Sequence, residues 1–320
     1  MPNSTEGALP SYDELPRDEL IGYAHAWDVF GPGDDLGTLN LLSDGAVLAS
    51  LSEARSGRRV GLTLEASALD PPLYGRAPLA HTLIQSNRNI WDDKLDDLYP
   101  QAASQWDGFR HVRARELGFW GGLTADPPEL GDRLGIEHFA KRGIIGRGVL
   151  LDVNRHLSAT TGDYHPLAEI AVGADLLQET ADAQGVEIRQ GDILCVRFGW
   201  LRAYRALDAE ARAAYASAGQ QSSFAGLAAE ESMARALWDH HVAAVACDNP
   251  GAEVSPGNAA TGSLHRRLIP MLGVVIGELL DFEELAEACI ERQSWSFLFT
   301  AVPLNVAGAV GSPANAVAVL

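Results

Sequence analysis

Residues 101–111 read Gln101-Ala102-Ala103-Ser104-Gln105-Trp106-Asp107-Gly108-Phe109-Arg110-His111. Two amides, a carboxylate and an imidazole thus recur within one short stretch, with Trp106 and Phe109 between them. Asp107 offers a hard oxygen. His111 offers a neutral nitrogen, or a proton that exchanges near neutrality. Gln101 and Gln105 can supply neutral carbonyl oxygens or amide donors. Metal ligation and acid–base work are both open to such a set, and so is ordinary hydrogen bonding for the two amides.

A second set lies far along the chain. His265 follows Gly262-Ser263, and Glu278 sits inside the apolar run GVVIGELL. A carboxylate in such a run must be paired, metal-bound or protonated, because an isolated buried charge is costly. Two distant segments therefore point to one metal site. His81, in GRAPLAHTL, is a candidate substrate contact on a loop, and Asp248, at a strand end, is a weaker candidate.

Around these segments, apolar strands and amphipathic helices alternate. RRVGLTLEAS, the stretch from Gly148 to Val153, GDILCVRFGW, VAAVACDNP, GVVIGELL and WSFLFTAVPLN read as strands. Residues 44–55, 173–184, 206–217, 228–240, 263–272 and 281–293 read as helices. Ser43 or Asp44 caps the first, Gly185 ends the second, and Asp281 with Glu284 suggests a capping box on the last. Residues 69–100 read as long loops. The pattern predicts a mixed α/β domain over residues 21–320, preceded by a polar arm over residues 1–20 that packs on a neighbouring subunit. No phosphate-binding glycine loop and no G-x-S-x-G elbow occurs.

Composition narrows the partners. The 320 residues are 47% hydrophobic and 21% charged, with 43 acidic and 24 basic residues and a net charge of −19. Such a surface repels nucleic-acid phosphates and anionic lipid, leaving a small-molecule substrate as the expected partner. Cys195, Cys247 and Cys289 are widely separated and odd in number, as expected of buried thiols in a reducing compartment. The N-terminus lacks the pattern of a signal peptide, and no apolar run reaches membrane-spanning length, so a cytoplasmic location is expected.

The segment 101–111 also resembles the hallmark H-x-G-T-H-x-D-x-P-x-H of the cyclase family of metal-dependent hydrolases, which includes bacterial arylformamidases and isatin hydrolases. It aligns without a gap, in the form Q-x-x-S-Q-W-D-x-x-x-H. DDLGTLNLL, RGIIGRGVLLDV, VAAVACDNPGAEV, LHRRLIPMLGVVIGELLDFEEL and AVPLNVAGAVGSPANA agree in order, so that the likeness spans roughly residues 27–320. It implies a swivelling β/β/α fold around a mixed sheet or barrel-like core, assembled as a homodimer or homotetramer. It further implies Asp107, Glu278 and His265 as metal ligands and His111 as the acid–base residue. Gln101 and Gln105 stand where histidine ligands are usual, which favours a single divalent ion, manganese or zinc, with a metal-free site as the alternative. The implied activity is hydrolysis of a C–N bond in an amide, lactam or formamide, with Trp106 and Phe109 shaping an apolar or aryl substrate pocket. The alternative activity is a cyclase or dehydratase of secondary metabolism; a binding scaffold without activity is a third.

Overall fold

Strands of two to eight residues carry the architecture. The computed structural model describes residues 9–320. In chain order the strands are β1 (Arg59–Gly61), β2 (Ala80–Asn87), β3 (Ile90–Asp96), β4 (Gln105–Asp107), β5 (Ile144–Leu151), β6 (Ala171–Val172) and β7 (Ile193–Val196). They continue with β8 (Gly226–Leu227), β9 (Ala244–Cys247), β10 (Val275–Glu278), β11 (Ser296–Ala301), β12 (Gly311–Pro313) and β13 (Ala316–Val319). Nine of them form one curled, half-barrel-like mixed sheet in the order β1-β13-β11-β5-β7-β9-β10-β4-β12. This is the mixed α/β architecture expected from the sequence.

The centre of the sheet is parallel: β5 pairs β7, β7 pairs β9, and β9 pairs β10. These strands are near-continuous apolar runs because both of their faces are covered. Helix Ala174–Gln184 packs on β5 and against helices Val153–Thr160 and Glu231–Asp239. It ends where Gly185 adopts a left-handed conformation (φ 64°), as a helix-terminating glycine should.

The flanks are antiparallel, and β4 lies between β10 and β12. Trp106 faces Gly277 across the β4–β10 pair. A Cβ on Gly277 would approach the indole to 2.9 Å, so a glycine is required for the strands to pair here. Trp106 and Phe109 are both fully buried. Trp106 meets Phe299 edge-on, and Phe109 packs against Trp120 and Phe139. The expectation that these two rings face a substrate is corrected: they are core residues.

One other expectation changes. Residues 80–96, read as loop, form the hairpin β2–β3, and every residue in its two strands is exposed. In the expected arm, residues 1–8 lie outside the described residues. Residues 9–20 make contacts with their own chain: Trp238 donates to the Pro10 carbonyl at 2.9 Å, and the Tyr12 N–H donates to Asp239 at 2.7 Å. Among the described residues, no helix is long and apolar enough to cross a membrane. The three cysteines are buried and free.

Candidate metal centre

Period-two alternation along β4 puts Gln105 and Asp107 on one face and Trp106 on the other. Glu278 is the register partner of Gln105 on β10, so the sheet delivers both carboxylates to the same face. His265 arrives from a different element. Ser263 caps the short helix Leu264–Arg266, its hydroxyl accepting from the Arg266 N–H, and this first turn carries the imidazole to the carboxylates. One ligand atom from each of Asp107, His265 and Glu278 lies within 4.8 Å of the others.

Their hydrogen bonding is uneven. His265 Nε2 lies 3.0 Å from Glu278 Oε1 and 3.8 Å from Asp107 Oδ2. Gln105 Nε2 donates to the other Glu278 oxygen at 2.6 Å. Asp107 is 1% exposed, yet neither of its carboxylate oxygens has a hydrogen-bond partner among the described residues. The buried Gln105 Oε1 and Gln101 Nε2 are also unpartnered. A buried carboxylate with no donor is a large unpaid desolvation cost, which a cation in contact with it would remove. One imidazole nitrogen, two carboxylates and a spare amide oxygen make a donor set that fits a divalent ion.

Glu253 completes the arrangement and was not singled out from the sequence. Its carboxylate accepts from His265 Nδ1 at 2.7 Å, from the Leu264 N–H at 2.6 Å and from the Ser263 hydroxyl at 3.0 Å. With Nδ1–H donated to Glu253, the ring is oriented with Nε2 toward Asp107 and Glu278. Only tertiary contact reveals this role, because Glu253 follows the Asp248-Asn249-Pro250 turn with no local motif. Electrostatics follow the geometry. Burial disfavours the His265 imidazolium, but hydrogen bonds to Glu253 and Glu278 outweigh it and hold the ring's pKa well above its usual value. Burial, and then the charge of Asp107, push the Glu278 carboxyl upward.

His111 stands at the edge of the cluster. Its Nε2 lies 3.8 Å from Asp107 Oδ1, and 31% of its side chain is exposed. His81 is not brought to the cluster: it lies on the exposed hairpin, 2.5 Å from Asp93. Asp248 is also committed elsewhere, accepting from the Phe198 and Gly199 N–H groups at 2.7 and 2.8 Å.

A cavity of about 310 Å³ is lined by Leu69, Pro72, Leu98, Tyr99 and Ala102 together with Ser67, Asp70 and Asp97, and none of the cluster residues lines it. Depressions of about 400 and 510 Å³ lie elsewhere, and none of the cluster residues lines them.

The sequence description "Putative cyclase" matches residues 62–254. A crystal structure of a novel cyclase aligns with a TM-score of 0.80 at 26% identity, covering 92% of this chain and 99% of that one. An isatin hydrolase bound to the product analogue thioisatinate aligns at 0.59 and 16% identity, covering 87% and 99%. Isatin hydrolase A from Labrenzia aggregata, bound to benzyl benzoate, aligns at 0.58 and 13%, covering 85% and 98%. At those lower identities the likeness is one of fold. None of the curated proteins matches the sequence.

Proposed function

The chain belongs to the cyclase family, and on that premise we propose that it is a metal-dependent hydrolase of a C–N bond in a small amide, lactam or formamide. The observation that carries this reading is the buried, unpartnered carboxylate of Asp107 beside His265 and Glu278. Asp107, His265 and Glu278 would hold one divalent ion, manganese or zinc, with Gln105 Oε1 as a further oxygen donor. When bound, such an ion lowers the pKa of water and polarises a carbonyl. Glu253 fixes the His265 ring, and Gln105 fixes Glu278. His111, partly open to solvent and close to Asp107, would take a proton from water and return it to the leaving nitrogen. The cavity whose wall includes Ala102, next to Gln101 in the chain, has mixed apolar and acidic walls and is a candidate place for the substrate. The fold shared with isatin hydrolases supports a lactam or amide as the first class to test. A homodimer or homotetramer belongs to the same reading, favoured by Leu83, Trp91 and Leu95, which share one exposed face of the β2–β3 hairpin.

The test is turnover of a panel of aryl amides, formamides and lactams after reconstitution with Mn²⁺ or Zn²⁺. Hydrolysis is expected to vanish on chelation and in Asp107→Ala, and to fall by about 10²–10⁴ in His111→Ala. Turnover that survives both chelation and Asp107→Ala would overturn the assignment. An inert panel would move the balance to the metal-free cyclase.

A further inference from the structure

The segment before the hairpin carries a pair that the proposed reaction has not used. In the turn Leu73–Gly75, Tyr74 adopts a left-handed backbone (φ 60°, ψ 27°), a conformation that bulky residues rarely take. The residues around it hold it there: Tyr74 packs on a buried cluster that includes Leu73, Trp200, Tyr204 and Leu279. The turn sets the Tyr74 ring 5.1 Å from the Arg76 guanidinium carbon. Arg76 NH1 donates to the carbonyl of Gln101, the first residue of the site segment, at 2.7 Å.

Two other buried arginines commit their donors to the protein. Arg110 donates to the carbonyls of Pro127, Gly131, Arg133 and Gly308. Arg197 is paired with Asp152 and Glu283. Arg76 makes one hydrogen bond to protein among the described residues, and it lies within 4.0 Å of no carboxylate. It is only partly buried, and the carboxylates whose charges act on it are those of Glu278 and Asp107. Its remaining N–H donors are therefore available at the Gln101 end of the site segment.

Charge gives this availability a purpose. Asp107, Glu278 and Glu253 together outweigh a divalent ion. Cleavage of an acyl–nitrogen bond forms a new bond from the acyl carbon to the water oxygen and breaks the bond to nitrogen. One water proton goes to the leaving nitrogen. The acid loses the other proton at neutral pH and becomes a carboxylate, which the excess negative charge would repel. A guanidinium matches a carboxylate with two parallel donors. We propose that Arg76, stacked on Tyr74 and anchored on the Gln101 carbonyl, is the anion-binding residue of the site and receives the carboxylate of the acyl product. The proposal rests on the C–N hydrolase reading, and it makes the enzyme selective for acyl groups small enough to bring that carboxylate between the metal ligands and Arg76.

Benzoate and its neutral counterpart benzamide are the probes. Their binding to the full chain loaded with Mn²⁺ is measured by calorimetry for wild type, Arg76→Gln and Arg76→Lys, with metal content measured alongside. The expected result is benzoate binding at least tenfold weaker in Arg76→Gln and partly recovered in Arg76→Lys, with benzamide binding and metal content unchanged. Arg76→Gln keeps a donor for the Gln101 carbonyl, so the turn retains its anchor. Benzoate affinity unaffected by either variant, equal losses for benzoate and benzamide, or no benzoate binding to wild type at millimolar concentration would each overturn the proposal. The hydrolase reading fails separately, through an inert amide panel, because the binding measurement needs no turnover.

Discussion

Four parallel strands end beside buried charge, but the charges are treated differently. Asp152, Arg197 and Asp248 are the first residues after β5, β7 and β9, whereas Glu278 is the last residue of β10. The first three are largely paired, although Asp152 Oδ2 has no hydrogen-bond partner among the described residues. Arg197 reaches Asp152 and Glu283, each at 2.9 Å, and Asp248 accepts two backbone N–H groups. Burial alone would lower the Arg197 pKa, but its hydrogen bond to Glu283 and the charge of Asp152 turn the shift upward. At the end of β10, one imidazole and one amide bond Glu278, and Asp107 has no donor among the described residues. The carboxyl ends of parallel strands are where open α/β sheets bind ligands. One end of this row is neutralised internally, while the other is left short of positive charge and so is built to receive a cation.

That contrast is broken most strongly by removing one charge from each set. Arg197→Met leaves the buried Asp152 without its cation, while Glu283 keeps Arg202, and is expected to cost about 3–5 kcal/mol. Asp107→Asn should leave the metal-free protein as stable as wild type or more so, since it removes an uncompensated charge. Denaturant melts in the presence of a chelator check both, and destabilisation of similar size in the two variants would erase the distinction.

A smaller effect is expected behind the cluster. Glu253→Gln keeps a hydrogen-bond acceptor for His265 but removes the charge, and should weaken metal binding by about 10–100-fold. Competition against a chelating dye measures it; unchanged affinity would mean that Glu253 does not orient the ligand.

A pH-dependent effect lies beside Arg197. Burial pushes the Asp248 carboxyl up to about 7, with Arg197 pulling against it. A carboxyl raised in the folded state contributes stability that is full below its unfolded value and lost as pH rises through about 7. Asp248→Asn should therefore flatten the fall in stability between roughly pH 4 and 7. Unfolding curves at the two ends of that window check the slope, and an unaltered slope would contradict the origin of the shift.

Elements with a strong local signal were legible in the sequence. Helix Ala174–Gln184 was, because amphipathic spacing and a left-handed Gly185 agree. The apolar strands were, although β1 is shorter than RRVGLTLEAS suggests and β5 begins earlier, at Ile144. Asp107 and Glu278 stood out because a motif and an apolar run marked them, and the structure brings them together. The faces of Trp106 and Phe109 were not readable: β4 has three residues, too few for alternation to show. The β2–β3 hairpin was hidden by its acidic residues, since no core face imposes a pattern on it. Glu253, Tyr74 and Arg76 gain their roles from contacts that are distant in sequence or from an unusual backbone turn, which no spacing rule records.

The Asp107–His265–Glu278 cluster is proposed to be completed by a divalent cation. Elemental mass spectrometry on untagged protein dialysed against metal-free buffer, then reconstituted with Mn²⁺ or Zn²⁺ and desalted, tests it most directly. The account predicts about one equivalent per chain in wild type and a loss of it in Asp107→Asn, for a site with one set of ligands. Wild-type protein that retains no divalent ion, or an Asp107→Asn variant that retains as much as wild type, would contradict it.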